Sequence, residues 1–106
     1  MGVRLSITNF SNKIENKIRE LKANIIQKRK SIRLYKSILD NSKINLEMSK
    51  RNYHVAFKAF NAETLDLLKL NDIEASYKQR DLQLIKDKLN YANIILEYRY
   101  LVSELD

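Results

Sequence analysis

Residues Tyr53 to Leu68 read YHVAFKAFNAETLDLL, and whether the chain turns back within this stretch decides its fold. The usual punctuation is missing. The 106 residues contain no proline, and the only glycine is Gly2. A compact fold with many turns needs both residue types, so the composition predicts a few long helices.

Upstream of the stretch, Ile18, Ile25, Ile32, Leu39, Leu46, Tyr53 and Phe60 recur every seven residues. Ile14, Leu21, Lys28, Tyr35, Ser42, Ser49 and Ala56 fill the interleaved positions. Two such rows make the seam of a coiled coil. The second row is weak, because Lys28, Ser42 and Ser49 stand where large apolar side chains are expected. Asn12 with Glu15 has the form of a capping box, which predicts a helix start near Ser11. Val3, Leu5 and Ile7 alternate before it, so residues 1–10 read as a short lead-in, the end of a strand.

Downstream the pattern changes. Leu68, Ala75, Leu82, Leu89 and Leu96 form one seven-spaced line, and Leu70, Tyr77, Leu84, Tyr91, Tyr98 and Leu105 form another. Two residues separate the lines, about 200° around a helix. The second helix therefore carries two apolar faces, and one partner covers only one of them. The expected assignment seats the Leu68 to Leu96 line in the hairpin and leaves Tyr77, Leu84, Tyr91, Tyr98 and Leu105 for a neighbouring hairpin.

Charge supports a fold-back. Residues 1–60 hold 14 Lys and Arg against 4 Asp and Glu, a balance of +10, while residues 61–106 hold 6 against 9, a balance of −3. A reversal near Ala62 would set Lys50 opposite Glu74 and Lys43 opposite Asp81. The rival is one uninterrupted helix, which the Leu70 row favours by continuing the first helix's register. The charge reversal and the new Leu68 face favour the hairpin. The expected fold is all-α: a long antiparallel two-helix coiled-coil hairpin with helices at about 11–59 and 64–105 and a tip at about 60–64.

Little in the sequence suggests catalysis. With no cysteine there is no thiolate for metal binding or nucleophilic attack. His54, the single histidine, has no second ligand at helical spacing, and no glycine loop could cradle a phosphate. We expect a protein that is not an enzyme and uses no metal or cofactor. The basic run Gln27 to Lys36 alternates with the seam residues Ile32 and Tyr35, so it reads as a solvated face and no nucleic acid is expected as partner. Tyr77, Tyr91 and Tyr98 read as packing residues and not as a base-stacking platform. No apolar run approaches the roughly 20 residues of a membrane span. The N-terminus shows no charged-then-apolar leader, so an exported parent would contain this chain as an excised piece.

The order of features from residue 12 to 105 resembles the C-terminal helical hairpin of TolC-type outer-membrane efflux proteins. Tyr53 stands near the end of the first helix, Phe60 to Thr64 at the tip, Leu65-Asp66-Leu67-Leu68 at the opening of the second helix, and Asn90-Tyr91 before its apolar end. Where that family carries glycine at the tip and Ser or Thr three residues later, this chain has Phe60 and Glu63, with Thr64 one position on. Asn61 is expected to supply the left-handed conformation or the cap. The resemblance implies a periplasmic hairpin, residues 11–106, from a trimeric channel whose parent is anchored in the bacterial outer membrane through strands absent here. It implies that Phe60, Asn61, Ala62, Glu63, Thr64, Leu65 and Asp66 dock a periplasmic adaptor, Asp66 having helix capping as its alternative role. It also implies self-association as a trimer in the intact parent. Two alternatives stand beside it: the hairpin of the adaptor itself, and a cytosolic coiled-coil or nucleic-acid-binding module using the Lys22 to Lys50 line.

Overall fold

The computed structural model describes residues 2–105. Met1 of the expected lead-in and Asp106 of the expected hairpin lie outside the described residues. Two helices, α1 (Gly2–Asn61) and α2 (Leu67–Leu105), run antiparallel in a rod of 91 × 19 × 15 Å. The hairpin reading holds: the chain folds back once and the described residues contain no strand.

The lead-in is helical, which corrects the strand reading of Val3, Leu5 and Ile7. The spacing that prevails is Val3, Ile7, Phe10 and Ile14, which recur every three or four residues and share one helix face. Thr8 donates its hydroxyl to the carbonyl of Arg4 at 2.9 Å, a bond available only within helical backbone. Asn12 therefore lies inside α1 and is not its cap. At its far end α2 brings Leu101 and Leu105 beside Lys17 to Asn24, and α1 continues beyond this level alone.

The seam joins Ile25, Leu39 and Ala56 of α1 to Leu70, Leu84 and Ile94 of α2, all buried. Tyr77, Tyr91 and Tyr98 are half-buried along the same line. The two faces of α2 are thus the reverse of the expected assignment. Leu68, Leu82, Leu89 and Leu96 are 79%, 66%, 61% and 61% exposed. Tyr77, Leu84, Tyr91 and Tyr98 are occupied within the chain, while Leu105 is exposed beside the last turn of the seam.

Polar matching explains the choice. Ser42 donates to Oδ2 of Asp87 across the seam, and Gln83 donates to Oδ1 of the same carboxylate at 3.0 Å. Asp87 is only 5% exposed, yet both of its oxygens are satisfied. Lys28 bonds Glu97 at 2.6 Å, and Arg29 donates to the Tyr98 hydroxyl at 3.1 Å with its guanidinium 5.8 Å from the ring centroid. Of the seam positions that look weak in α1, Lys28 and Ser42 are met by polar groups of α2, while Ser49 is not. Turning the Leu68 line inward would leave Ser42 without a partner for its buried hydroxyl, at a cost of about 1–3 kcal/mol.

The observed register sets Tyr53 against Tyr77, with ring centroids 5.7 Å apart, and Ser42 against Asp87. The reversal is therefore centred nearer Thr64 and Leu65 than Ala62. This moves α2 by about one and a half turns relative to the charge-based pairing. Glu74 accordingly pairs with Lys78 of its own helix at 3.4 Å and not with Lys50. Asp81 makes no ion pair with Lys43; the ion pair that crosses between helices among the described residues is Lys28 with Glu97.

Ser42→Ala should destabilise the hairpin by about 1–3 kcal/mol, because buried Asp87 loses a donor. Adding Asp87→Leu should recover most of that loss by making the layer apolar on both sides. Urea melts followed by circular dichroism check both, and a double variant no better than the single one would contradict the polar-layer account.

Candidate functional site

The tip has a physical account without glycine or proline. α1 ends at Asn61, and three backbone bonds close it: Ala62 N–H to Lys58 O at 3.0 Å, Glu63 N–H to Phe60 O at 3.0 Å and Thr64 N–H to Ala59 O at 2.9 Å. The last two are the paired bonds of a Schellman motif, which needs a left-handed residue between the helix end and the outer donor. Glu63 fills that position with φ of 62°. The expected residue was Asn61, which remains helical. A non-glycine residue here costs roughly 1 kcal/mol, which the closing bonds offset. The Thr64 hydroxyl adds a second bond to Ala59 O at 3.0 Å.

Asp66 then starts α2. Its Oδ1 accepts from Lys69 N–H at 2.7 Å, and its carbonyl accepts the first helical bond from Leu70 at 3.1 Å. This is an N-cap, so capping is the role the geometry gives Asp66. Leu65 and Leu70 occupy the positions of a hydrophobic staple, half-buried and buried respectively.

The expected tip residues are brought together, but unequally. Phe60 and Leu65 are half-buried and hold the turn, while Asn61, Ala62, Glu63, Thr64 and Asp66 are exposed. Two residues outside that set complete the surface: Leu67 and Leu68, large, apolar and exposed on the first turn of α2. Their sequence signal was an apolar pair directly after a capping acid, which burial alone would have explained equally well.

A groove of about 620 Å³ opens beside the tip between the two helices. Small side chains create it: Ser49, Ala56 and Ala59 on α1 face Ser76 on α2, with Ile73 in the floor and Lys69 and Asp72 at the rim. Large side chains at those seam positions would have filled the space. The groove is shallow, mostly apolar and elongated along the helices, a shape that suits a side-chain ridge of another helix better than a small molecule.

No group of three or more His, Asp or Glu side chains placed to hold a metal occurs among the described residues. His54 is exposed on α1, its ring 6.1 Å from that of Tyr53. No described helix is long and apolar enough to cross a membrane. The chain matches no family model, and no curated protein or solved structure matches it.

Glu63→Gly should stabilise the hairpin by up to about 1 kcal/mol by relieving the left-handed backbone. Asp66→Ala should destabilise it by about 1 kcal/mol through loss of the cap. Thermal melts of the two variants check this turn geometry, and a destabilising Glu63→Gly would contradict it.

Proposed function

We propose that the chain is a wall element of an outer-membrane channel in a tripartite efflux or secretion system, and that its tip docks a periplasmic adaptor. The observation that carries the proposal is the tip end itself: a closed, glycine-free turn with Leu67 and Leu68 exposed on the first turn of α2 and a small-residue groove between the two helices. A connector needs the closed turn but neither the exposed leucines nor the groove. Exposed apolar side chains at the end of the rod suit a docking role.

The wall part of the reading draws on α2, which carries apolar residues both in the seam and on the outside. A helix in a tunnel wall has a neighbour on each side. The rod length of 91 Å suits an element that bridges a gap between two membranes. On this reading the chain works in the periplasm, reaches the membrane through other parts of its parent, assembles as a trimer in that parent and performs no catalysis. The resemblance from residue 12 to 105 supplies the family, and the tip supplies the site.

The adaptor's own hairpin is the second reading, since a capped Leu-Asp tip suits either partner. The tyrosine and asparagine order of α2 favours the channel. A nucleic-acid role would rest on the basic line of α1, Lys22 to Lys50.

A graft tests the proposal. Residues 12–105 would replace the C-terminal helical hairpin of a TolC-type channel in a strain that lacks its own. Outer-membrane trimers and growth in an effluxed antibiotic are the expected result. Ala62→Arg in the graft should abolish resistance while leaving the trimers intact. Failure to form trimers would reject the wall role, and full resistance with Ala62→Arg would reject the docking role.

A further inference from the structure

We infer that one broad side of the hairpin, in the half away from the tip, binds an anionic lipid surface through cations that no carboxylate of the chain faces. The inference goes beyond the channel reading and does not rest on it.

The two helices lie side by side, so the rod has two broad sides. Shallow grooves open on one of them, lined by Lys17, Glu20 and Glu104 near the end of α2 and by Lys28, Asn93 and Glu97 further along. The other side is marked by Arg29, whose guanidinium donates to the Tyr98 hydroxyl and lies 5.8 Å from its ring centroid. Seven residues either way from Arg29 stand Lys22 and Lys36, and Arg19 and Arg33 occupy the adjoining row, three and four residues off. Lys30 lies at the margin. Arg99 joins from α2, since it is turned about 200° around that helix from Glu97. All seven cations are exposed.

The acids fall on the opposite side. Between residues 19 and 36 the only acid of α1 is Glu20, and α2 brings Glu97 and Glu104 to the same levels. All three line the grooves, where Glu97 pairs with Lys28 at 2.6 Å. Glu15 and Asp40 bound the basic face at its two ends. Within it, Arg29 has a hydroxyl and a ring as partners but no carboxylate, and none of the seven cations takes part in an ion pair among the described residues. Like charges held along about 26 Å of helix repel one another, and an anionic partner relieves that repulsion. A cluster of about four to eight Lys and Arg on a helix surface is the size that holds anionic headgroups.

The rest of the face favours lipid over nucleic acid. Aliphatic side chains stand among the cations: Ile26, 54% exposed, between Arg19 and Arg33 in their row, and the half-buried Ile95 and Val102 on α2. Headgroup phosphates would take the Lys and Arg tips while these side chains meet the acyl boundary. The ribbon is 19 Å across, wider than the roughly 12 Å major groove that admits a single helix. Its tyrosines on this side, Tyr91 and Tyr98, are half-buried in the seam, with Arg29 over Tyr98, so neither ring offers a free face to a base.

The test uses the 106-residue chain and vesicles of phosphatidylcholine, either alone or with about one third phosphatidylglycerol. Co-sedimentation at about 0.1 M salt should show binding to the anionic vesicles only, and about 1 M salt, which shortens the screening length to roughly 3 Å, should release the chain. Lys22→Glu with Arg33→Glu should weaken binding by about 100-fold or more, since each cation at such a surface contributes about fivefold. Lys13→Glu with Lys86→Glu makes the same change in net charge on the other side, seven residues from the groove residues Glu20 and Asn93, and should stay within about tenfold of the wild type. All four positions are exposed, so circular dichroism should show unchanged helicity. Equal binding to both vesicle types, equal losses in the two double variants, or binding to a short DNA duplex or to polyglutamate in place of the vesicles would overturn the inference.

Discussion

One left-handed residue governs the molecule. The chain must reverse between Ala59 and Lys69 with no glycine and no proline, and it does so by holding Glu63 at φ of 62° inside a pair of closing backbone bonds. The position of that residue sets where α2 begins, and hence which α2 side chain stands level with each α1 side chain. Shifting the reversal would separate Ser42 from Asp87 and leave a carboxylate buried with one donor fewer. The turn and the polar layer therefore fix the same register from different ends of the seam. A buried polar contact of this kind selects one alignment more than it adds stability.

The seam itself is thin. Among the described residues six apolar ones are buried and none is fully enclosed, while many more large apolar side chains face outward. A two-helix hairpin has only one internal stripe, so its hydrophobic stabilisation is small for its length. Part of the surplus apolar surface is ordered: Leu82, Leu89 and Leu96 on α2, and Leu34, Met48 and Val55 on α1, each lie along one line away from the seam. Such a molecule is built as a part, with its remaining apolar area set out for neighbours.

Much of this was legible in the sequence, and the errors are instructive. The seven-residue repeat identified the helices, the change of row at Leu68 located the reversal, and the capping acid at Asp66 was visible in advance. The faces of α2 were exchanged because both rows are apolar, and the all-aliphatic Leu68 row looks the better core. Spacing cannot choose between two good stripes. The polar residues could have chosen, since Lys28 and Ser42 in one row call for partners such as Glu97 and Asp87 in the facing one. The lead-in was misread because Val3, Leu5 and Ile7 alternate, whereas Val3, Ile7 and Phe10 already carry helical spacing. Nothing in the sequence singled out Glu63, because a left-handed glutamate is imposed by the two helices it joins.

The chemistry left exposed at the tip limits how it can bind. Three of its backbone donors are consumed internally, Glu63 and Thr64 by the Phe60 and Ala59 carbonyls and Lys69 by the Asp66 carboxylate. At the start of α2 the Asp66 carboxylate places a negative charge at the positive end of the helix dipole. Recognition by phosphate or carboxylate is disfavoured for that reason. Besides the exposed Asn61, Glu63, Thr64 and Asp66, this end presents Leu67 and Leu68 as apolar knobs and, between the helices, the groove lined by Ala59 and Ser76 as a hole. A surface of knobs and holes in helical register is read by another helix, so the partner the tip is built for is itself helical at the point of contact.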